Sequence, residues 1–196
     1  DSSLKNTKSY LIDGKFFSEI ISPSSIKSRV HQIGEDISRE FKSEKPVIIG
    51  VLNGAFIFMS DLIRNIDIEF EVDFIKISSY KNDLKSSGTI NLEKNINIDV
   101  TNKHVIIVED IVDTGLSLKY LYGEISKLSP SSIRFATLLY KNNKNNVHRN
   151  KIHLDWIGFN VEDYFVIGYG LDYKQHYRGL NGIYAAKERW GNWKRI

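Results

Sequence analysis

The chain has no cysteine among its 196 residues. That absence excludes disulfides, thiolate metal sites and cysteine nucleophiles, and it fits a reducing compartment. No apolar run approaches the roughly 20 residues that a membrane-spanning helix needs, and the opening residues DSSLKNTKSY hold no signal-peptide core. A cytoplasmic protein without a membrane partner is the expectation. The five histidines, His31, His104, His148, His153 and His176, lack metal-ligand spacing and a paired serine nucleophile. Neither G-x-G-x-x-G after a strand nor G-x-x-x-x-G-K-S/T occurs, which leaves dinucleotide and Walker-type sites without support. A strong charge of one sign is also missing: 27 basic against 24 acidic residues give only +3. The polar tract Lys141 to Lys151 therefore reads mostly as solvated loop, and no nucleic-acid partner is expected.

What is present alternates between helix and strand. With 41% hydrophobic residues the chain can bury one sizeable core, so residues 1–196 read as a single domain. Ile26, Val30, Ile33, Ile37 and Phe41 recur at helical spacing behind Ser22 as N-cap and Pro23 as first helical residue. Pro46 opens an apolar strand over 47–52, the Asn53-Gly54 pair makes a turn, and a second helix is predicted over 55–66. Phe70, Val72, Phe74, Ile75 and Ile77 predict a long strand ending near Ser79 and Tyr80, followed by a polar loop over 81–88. Further strands are predicted over 133–140, 154–159, 164–167 and 183–186, with a tail over 190–196. Alternation of this kind predicts an α/β fold, a mostly parallel open sheet flanked by helices with ligands at the strands' carboxyl ends.

The stretch that carries chemistry is VIIVEDIVDTGLSL, Val105 to Leu118. Val105 to Val108 are β-branched without interruption, as in a central parallel strand covered on both faces. Glu109 and Asp110 follow at its carboxyl end. Asp113, Thr114, Gly115 and Ser117 then precede apolar residues at helical spacing, Leu118, Leu121, Ile125 and Leu128. Hydroxyls and backbone N–H groups at a helix N-terminus suit a phosphate. Carboxylates beside a phosphate cradle suit a ribose phosphate, whose hydroxyls and metal ion take the acids while its phosphate takes the amides.

This stretch resembles the phosphoribosyl-pyrophosphate (PRPP) motif of type I phosphoribosyltransferases. VLNGAFIFMSDL from Val51, KISSYKNDLKSSGTI from Lys76, LLYK ending at Lys141 and DWIGFNVEDYFVIGYGLDYKQHYRGL from Asp155 match the hypoxanthine-guanine branch in order. The resemblance implies the type I phosphoribosyltransferase fold, with a small hood over the purine from roughly 1–22 and 153–196. It implies transfer of the 5-phosphoribosyl group from PRPP to hypoxanthine or guanine, giving IMP or GMP and pyrophosphate, with Mg2+ as cofactor. A homodimer or homotetramer is implied as well. The alternative of another class is a sensor of PRPP or nucleotide that keeps this fold and binds RNA.

Roles follow residue by residue from the same resemblance. Asp113 resembles the acid at purine N7 and is the catalytic candidate, with helix capping as its structural alternative. Glu109 and Asp110 face ribose hydroxyls and metal, Asp172 faces a second metal and the purine, and Asp113 to Ser117 form the 5′-phosphate loop. Leu116 stands where some relatives carry a basic residue. Lys141 donates to the purine O6, with an ordinary exposed lysine as the plain alternative, Phe165 stacks on the base and Val166 supplies backbone. Asn53, Gly54 and Arg178 contact pyrophosphate, Asn53 replacing a lysine of several relatives, and the resemblance implies a cis peptide at Leu52–Asn53. Ser79 and Tyr80 belong to the loop that closes over the reaction.

Overall fold

Helix α1 (Pro23–Glu40) forms where the spacing predicts it. The Ser22 side chain accepts a hydrogen bond from the Ser25 N–H at 3.2 Å, Pro23 occupies the first turn, and Ile26, Val30, Ile33 and Ile37 are buried on one face. A cap of this kind contributes about 1 kcal/mol. A computed structural model describes residues 8–80, 89–142 and 152–186, without the side chain of Tyr80. The predicted loop over 81–88, the tail over 190–196 and the polar tract over 143–151 lie outside the described residues.

Six strands form the main sheet: β3 (Val47–Leu52), β4 (Glu71–Tyr80), β5 (Thr89–Lys94), β6 (His104–Val112), β7 (Ser132–Lys141) and β8 (Trp156–Val161). Their order is β5-β4-β3-β6-β7-β8, parallel throughout except for β5, which pairs antiparallel with β4. Alternation along the strands sends side chains to two faces. Ile48, Ile106 and Val108 join α1 and α2 (Phe56–Ile63) in one core, while Val47, Ile49, Val105 and Ile107 join α3 (Leu116–Ser126) in another. A second sheet is antiparallel, in the order β1-β2-β10-β9, from β1 (Ser9–Ile12), β2 (Lys15–Ile21), β9 (Phe165–Ile167) and β10 (Ile183–Ala186).

Several boundaries differ from the sequence reading. Strand β6 does not stop at Val108: it runs on through Glu109 and Asp110, because Ile111 and Val112 continue the ladder opposite Leu139 and Tyr140. The second helix is shorter than predicted, Phe56–Ile63 instead of 55–66. Residues 156–161, expected within the hood, form the edge of the main sheet, so the small sheet draws on 9–21, 165–167 and 183–186. Parallel pairing of β4, β3, β6, β7 and β8 brings their carboxyl ends to one edge. Ser79, Asn53, Asp113, Lys141 and Asp163 therefore end strands, or follow them, along that edge.

Candidate active site

One strand, β6, supplies both acids. Glu109 is buried with 6% exposure, and Asp110 beside it is half-buried. Burial, then the neighbouring Asp110 charge, pushes the Glu109 carboxyl well above its usual range. Burial also raises Asp110, against the Ile111 N–H, which donates to Asp110 Oδ1 at 2.7 Å, and the charge of Arg178. Two carboxylates held this way are poised to gain from a nearby cation or hydroxyl donors. Among the described residues no group of three or more His, Cys, Asp or Glu converges on one point. A cation here would take most of its ligands from water and substrate, which is how magnesium usually binds. The donor set fits that ion.

The turn after β3 packs onto these acids. The Leu52–Asn53 peptide is cis, as the resemblance implies. A Cβ on Gly54 would fall 1.8 Å from Asp110 Oδ2, and a Cβ on Gly170, whose φ is +101°, would fall 2.1 Å from the Gly54 carbonyl. Glycine at 170 admits the Gly54 backbone, and glycine at 54 admits the Asp110 carboxylate. Gly170 in turn accepts from Arg178 Nη1 at 2.7 Å, and Arg178 Nη2 lies 3.5 Å from Asp172 Oδ1. Asp172 Oδ2 accepts from the Gln175 N–H at 2.8 Å. Asn53, Gly54, Asp110, Asp172 and Arg178 thus form one connected group.

Beyond the acids the chain turns into α3 through Gly115, the N-cap residue, at φ +81°. The cap residue is a glycine and brings no side chain of its own to the first turn. Thr114 Oγ1 lies 3.4 Å from the Leu116 N–H, Ser117 is half-buried, and Leu116 is 39% exposed. First-turn N–H groups at a helix N-terminus suit an anion.

Lys141 differs most from a plain reading of the sequence. It is no loop lysine but the last residue of β7, 3% exposed, with Nζ 4.0 Å from Asp113 Oδ2 and 3.4 Å from Asp163 Oδ1. Phe165 and Val166 lie in β9 of the small sheet. Phe165 meets Phe17 and Tyr173 edge-on at 6.2 and 5.7 Å between centroids, and Val166 is buried opposite Ala185. Ser79 pairs with Ile90 and Tyr80 with Thr89 at the far end of the β4–β5 hairpin.

With this geometry in place, comparison with known proteins is decisive. A family model, the phosphoribosyl transferase domain, matches residues 19–174. The hypoxanthine-guanine phosphoribosyltransferase of Bacillus subtilis is 40% identical over 168 residues, 86% of this chain and 92% of that protein. The chain belongs to the hypoxanthine-guanine phosphoribosyltransferases. A hypoxanthine phosphoribosyltransferase of Buchnera aphidicola is 40% identical over 82% of this chain and 90% of its own length. The crystal structure of a hypoxanthine-guanine phosphoribosyltransferase from Bacillus anthracis superposes with a TM-score of 0.80 at 36% identity, covering 86% of this chain and 97% of that one. The mixed sheet with its small antiparallel companion is the fold of this family.

Sequence reasoning missed Gly170 and Asp163, which touch the groups above, and Tyr169 beside Gly170. Gly170 had a signal in the spacing Gly168-x-Gly170, since paired glycines mark close backbone approach. Tyr169 stands between them at φ +50°, its hydroxyl donating to Asp61 Oδ2, and burial with that bond raises the phenol. Asp163 had none, because an acid between two short strands reads as surface.

Proposed function

We propose that the chain transfers the 5-phosphoribosyl group of PRPP to hypoxanthine or guanine, yielding IMP or GMP and pyrophosphate. The observation that carries this reading is the buried Lys141 within 4.0 Å of Asp113, at the edge where the acidic strand end also lies. A buried ammonium is a hydrogen-bond donor without an acceptor role. It suits the O6 of a 6-oxopurine and disfavours the amino group of adenine, since a site built for one hydrogen-bonding pattern discriminates against its loss.

In the transfer, the bond from ribose C1 to the pyrophosphate oxygen breaks and a bond from C1 to the purine nitrogen forms. The base sheds one proton, which Asp113 takes or shares at N7. Phe165 stacks on the base, Val166 offers its backbone, and Asp172 faces the purine's other edge. The first turn of α3, with Thr114, Gly115 and Ser117, holds the 5′-phosphate, and Leu116 adds no charge there. Asn53, Gly54 and Arg178 bind pyrophosphate, Arg178 with a planar fork suited to two phosphate oxygens. Ser79 and Tyr80 belong to the segment that closes over the bound reactants and excludes water. Magnesium, held by Glu109 and Asp110 with Asp172 at a second position, would neutralise the charge gathered on pyrophosphate.

The small sheet acts as the hood over the base, and the chain works in the cytoplasm as one phosphoribosyltransferase domain per subunit. A homodimer or homotetramer is supported by the exposed cross-strand pair Leu11 and Phe16, at 63% and 70% exposure, and sedimentation would read two or four times the chain mass. Incubation with PRPP, magnesium and hypoxanthine should form IMP. Asp113→Asn should lower turnover by about 10²- to 10⁴-fold with PRPP binding largely kept. Absence of IMP from folded protein that binds PRPP, or near wild-type turnover in the variant, would contradict the reading.

A further inference from the structure

Asp163 has no part in the reaction just described, yet the fold sets it against the one buried lysine among the described residues. Its placement follows from the backbone on both sides. Lys141 and Val161, the last residues of β7 and β8, face each other in register, and the Asn142 N–H donates to the Val161 carbonyl at 3.4 Å. The chain then turns sharply, the Tyr164 N–H donating to the Glu162 carbonyl at 2.7 Å with Asp163 at the centre of the turn. This turn joins the main sheet to the small one. Strand β9 begins two residues later with Phe165.

The Lys141 ammonium therefore lies within reach of two carboxylates supplied by different strand ends, at 3.4 Å from Asp163 and 4.0 Å from Asp113. A buried ammonium needs a countercharge, and the nearer one takes the larger share. If Asp163 were neutral, Asp113 would be the nearer charge of the two, and the ammonium would be drawn toward it. That contraction would occupy both groups meant for the purine, the donor for O6 and the acceptor for the proton at N7.

We propose that Asp163 is a positioning residue for 6-oxopurine recognition: as the nearer carboxylate, at 3.4 Å, it holds the Lys141 ammonium and keeps it from closing further onto Asp113, at 4.0 Å. The inference rests on the transfer reaction proposed above. Because Asp163 is itself 44% exposed at its side chain, its ion pair adds little to stability, which separates positioning from scaffolding. The turn also links specificity to the hood, since the residue that fixes Lys141 precedes the stacking Phe165 by two positions.

Asp163→Asn and Asp163→Glu test this by steady-state kinetics with hypoxanthine and guanine, alongside PRPP titration and thermal melting. Asp163→Asn should lower kcat/KM for the base about tenfold, through a higher base KM and a lower kcat together. The KM for PRPP and the melting temperature should stay at wild-type values. Asp163→Glu, which keeps the charge, should recover most of the loss. Unchanged base kinetics in Asp163→Asn would overturn the proposal, as would an equal rise in the KM for PRPP or a loss that Asp163→Glu does not repair. Failure of the wild-type protein to make nucleotide from either base is a different result, and it would remove the underlying reaction.

Discussion

Glu109 shows at the residue scale how this site stores a cost that its ligand relieves. A carboxyl 6% exposed, pushed up by burial and by Asp110 beside it, is an unfavourable neighbour to the ligand-free fold at neutral pH. Glu109→Gln keeps the shape and removes the repulsion. It should raise the melting temperature of the ligand-free protein at neutral pH while weakening the binding of PRPP with magnesium, the exchange of stability for function common at such sites. A variant that melts lower and binds as the wild type does would contradict this account of the acids. The acids and the turn after them were legible in the sequence because the VIIVEDIVDTG stretch joins an apolar strand, acids and a glycine turn in one run. The burial of Lys141 was not legible, since nothing in LLYK says that the strand runs to its last residue and buries the ammonium. Asp163 was illegible, because its meaning comes from pairing Lys141 with Val161 across two strands.

Elements place these residues, and Asp73 in β4 shows how. Burial would raise its carboxyl, but N–H groups of Ile98, Asn97 and Phe74, aided by Lys94, outweigh that and hold it below the ordinary 3.8. The Asn97 and Ile98 N–H groups reach Asp73 Oδ2 at 2.5 and 3.0 Å, so Asp73 fastens the segment after β5 to β4. That clamp fixes the base of the hairpin whose far end carries Ser79 and Tyr80. Asp73→Asn should destabilise by about 1–3 kcal/mol at neutral pH. The sign with pH follows from the lowered value: the contribution is present above 3.8 and fades as pH falls through the folded-state value. Melting across pH 2–7 should therefore show the two proteins converging at the acid end, and a gap that widens there would contradict the clamp. Element types came through the sequence well, since strands β3 and β6 and helix α1 have unmistakable periodicity. Boundaries did not: β6 overran its apolar run because its partner β7 continues, a long-range fact that local pattern does not hold.

The whole molecule is an edge built by parallel pairing together with a second, antiparallel sheet. Five strands deliver their carboxyl ends to one side, and the chain's outer segments, β1 and β2 with β9 and β10, form the sheet that carries Phe165 and Val166. The resemblance implied a hood from roughly 153–196, a span that takes in both β8 and β9. Only pairing tells them apart, and pairing decides which of them ends beside Lys141. At this scale the central claim is that one site holds PRPP at the acids and the α3 turn while Lys141 selects a 6-oxopurine. The most direct measurement is pyrophosphate release from PRPP and magnesium with hypoxanthine, guanine, xanthine or adenine added separately. Release with hypoxanthine or guanine and none with adenine is the predicted result; release with adenine, or none with any base from folded protein that binds PRPP, would contradict it.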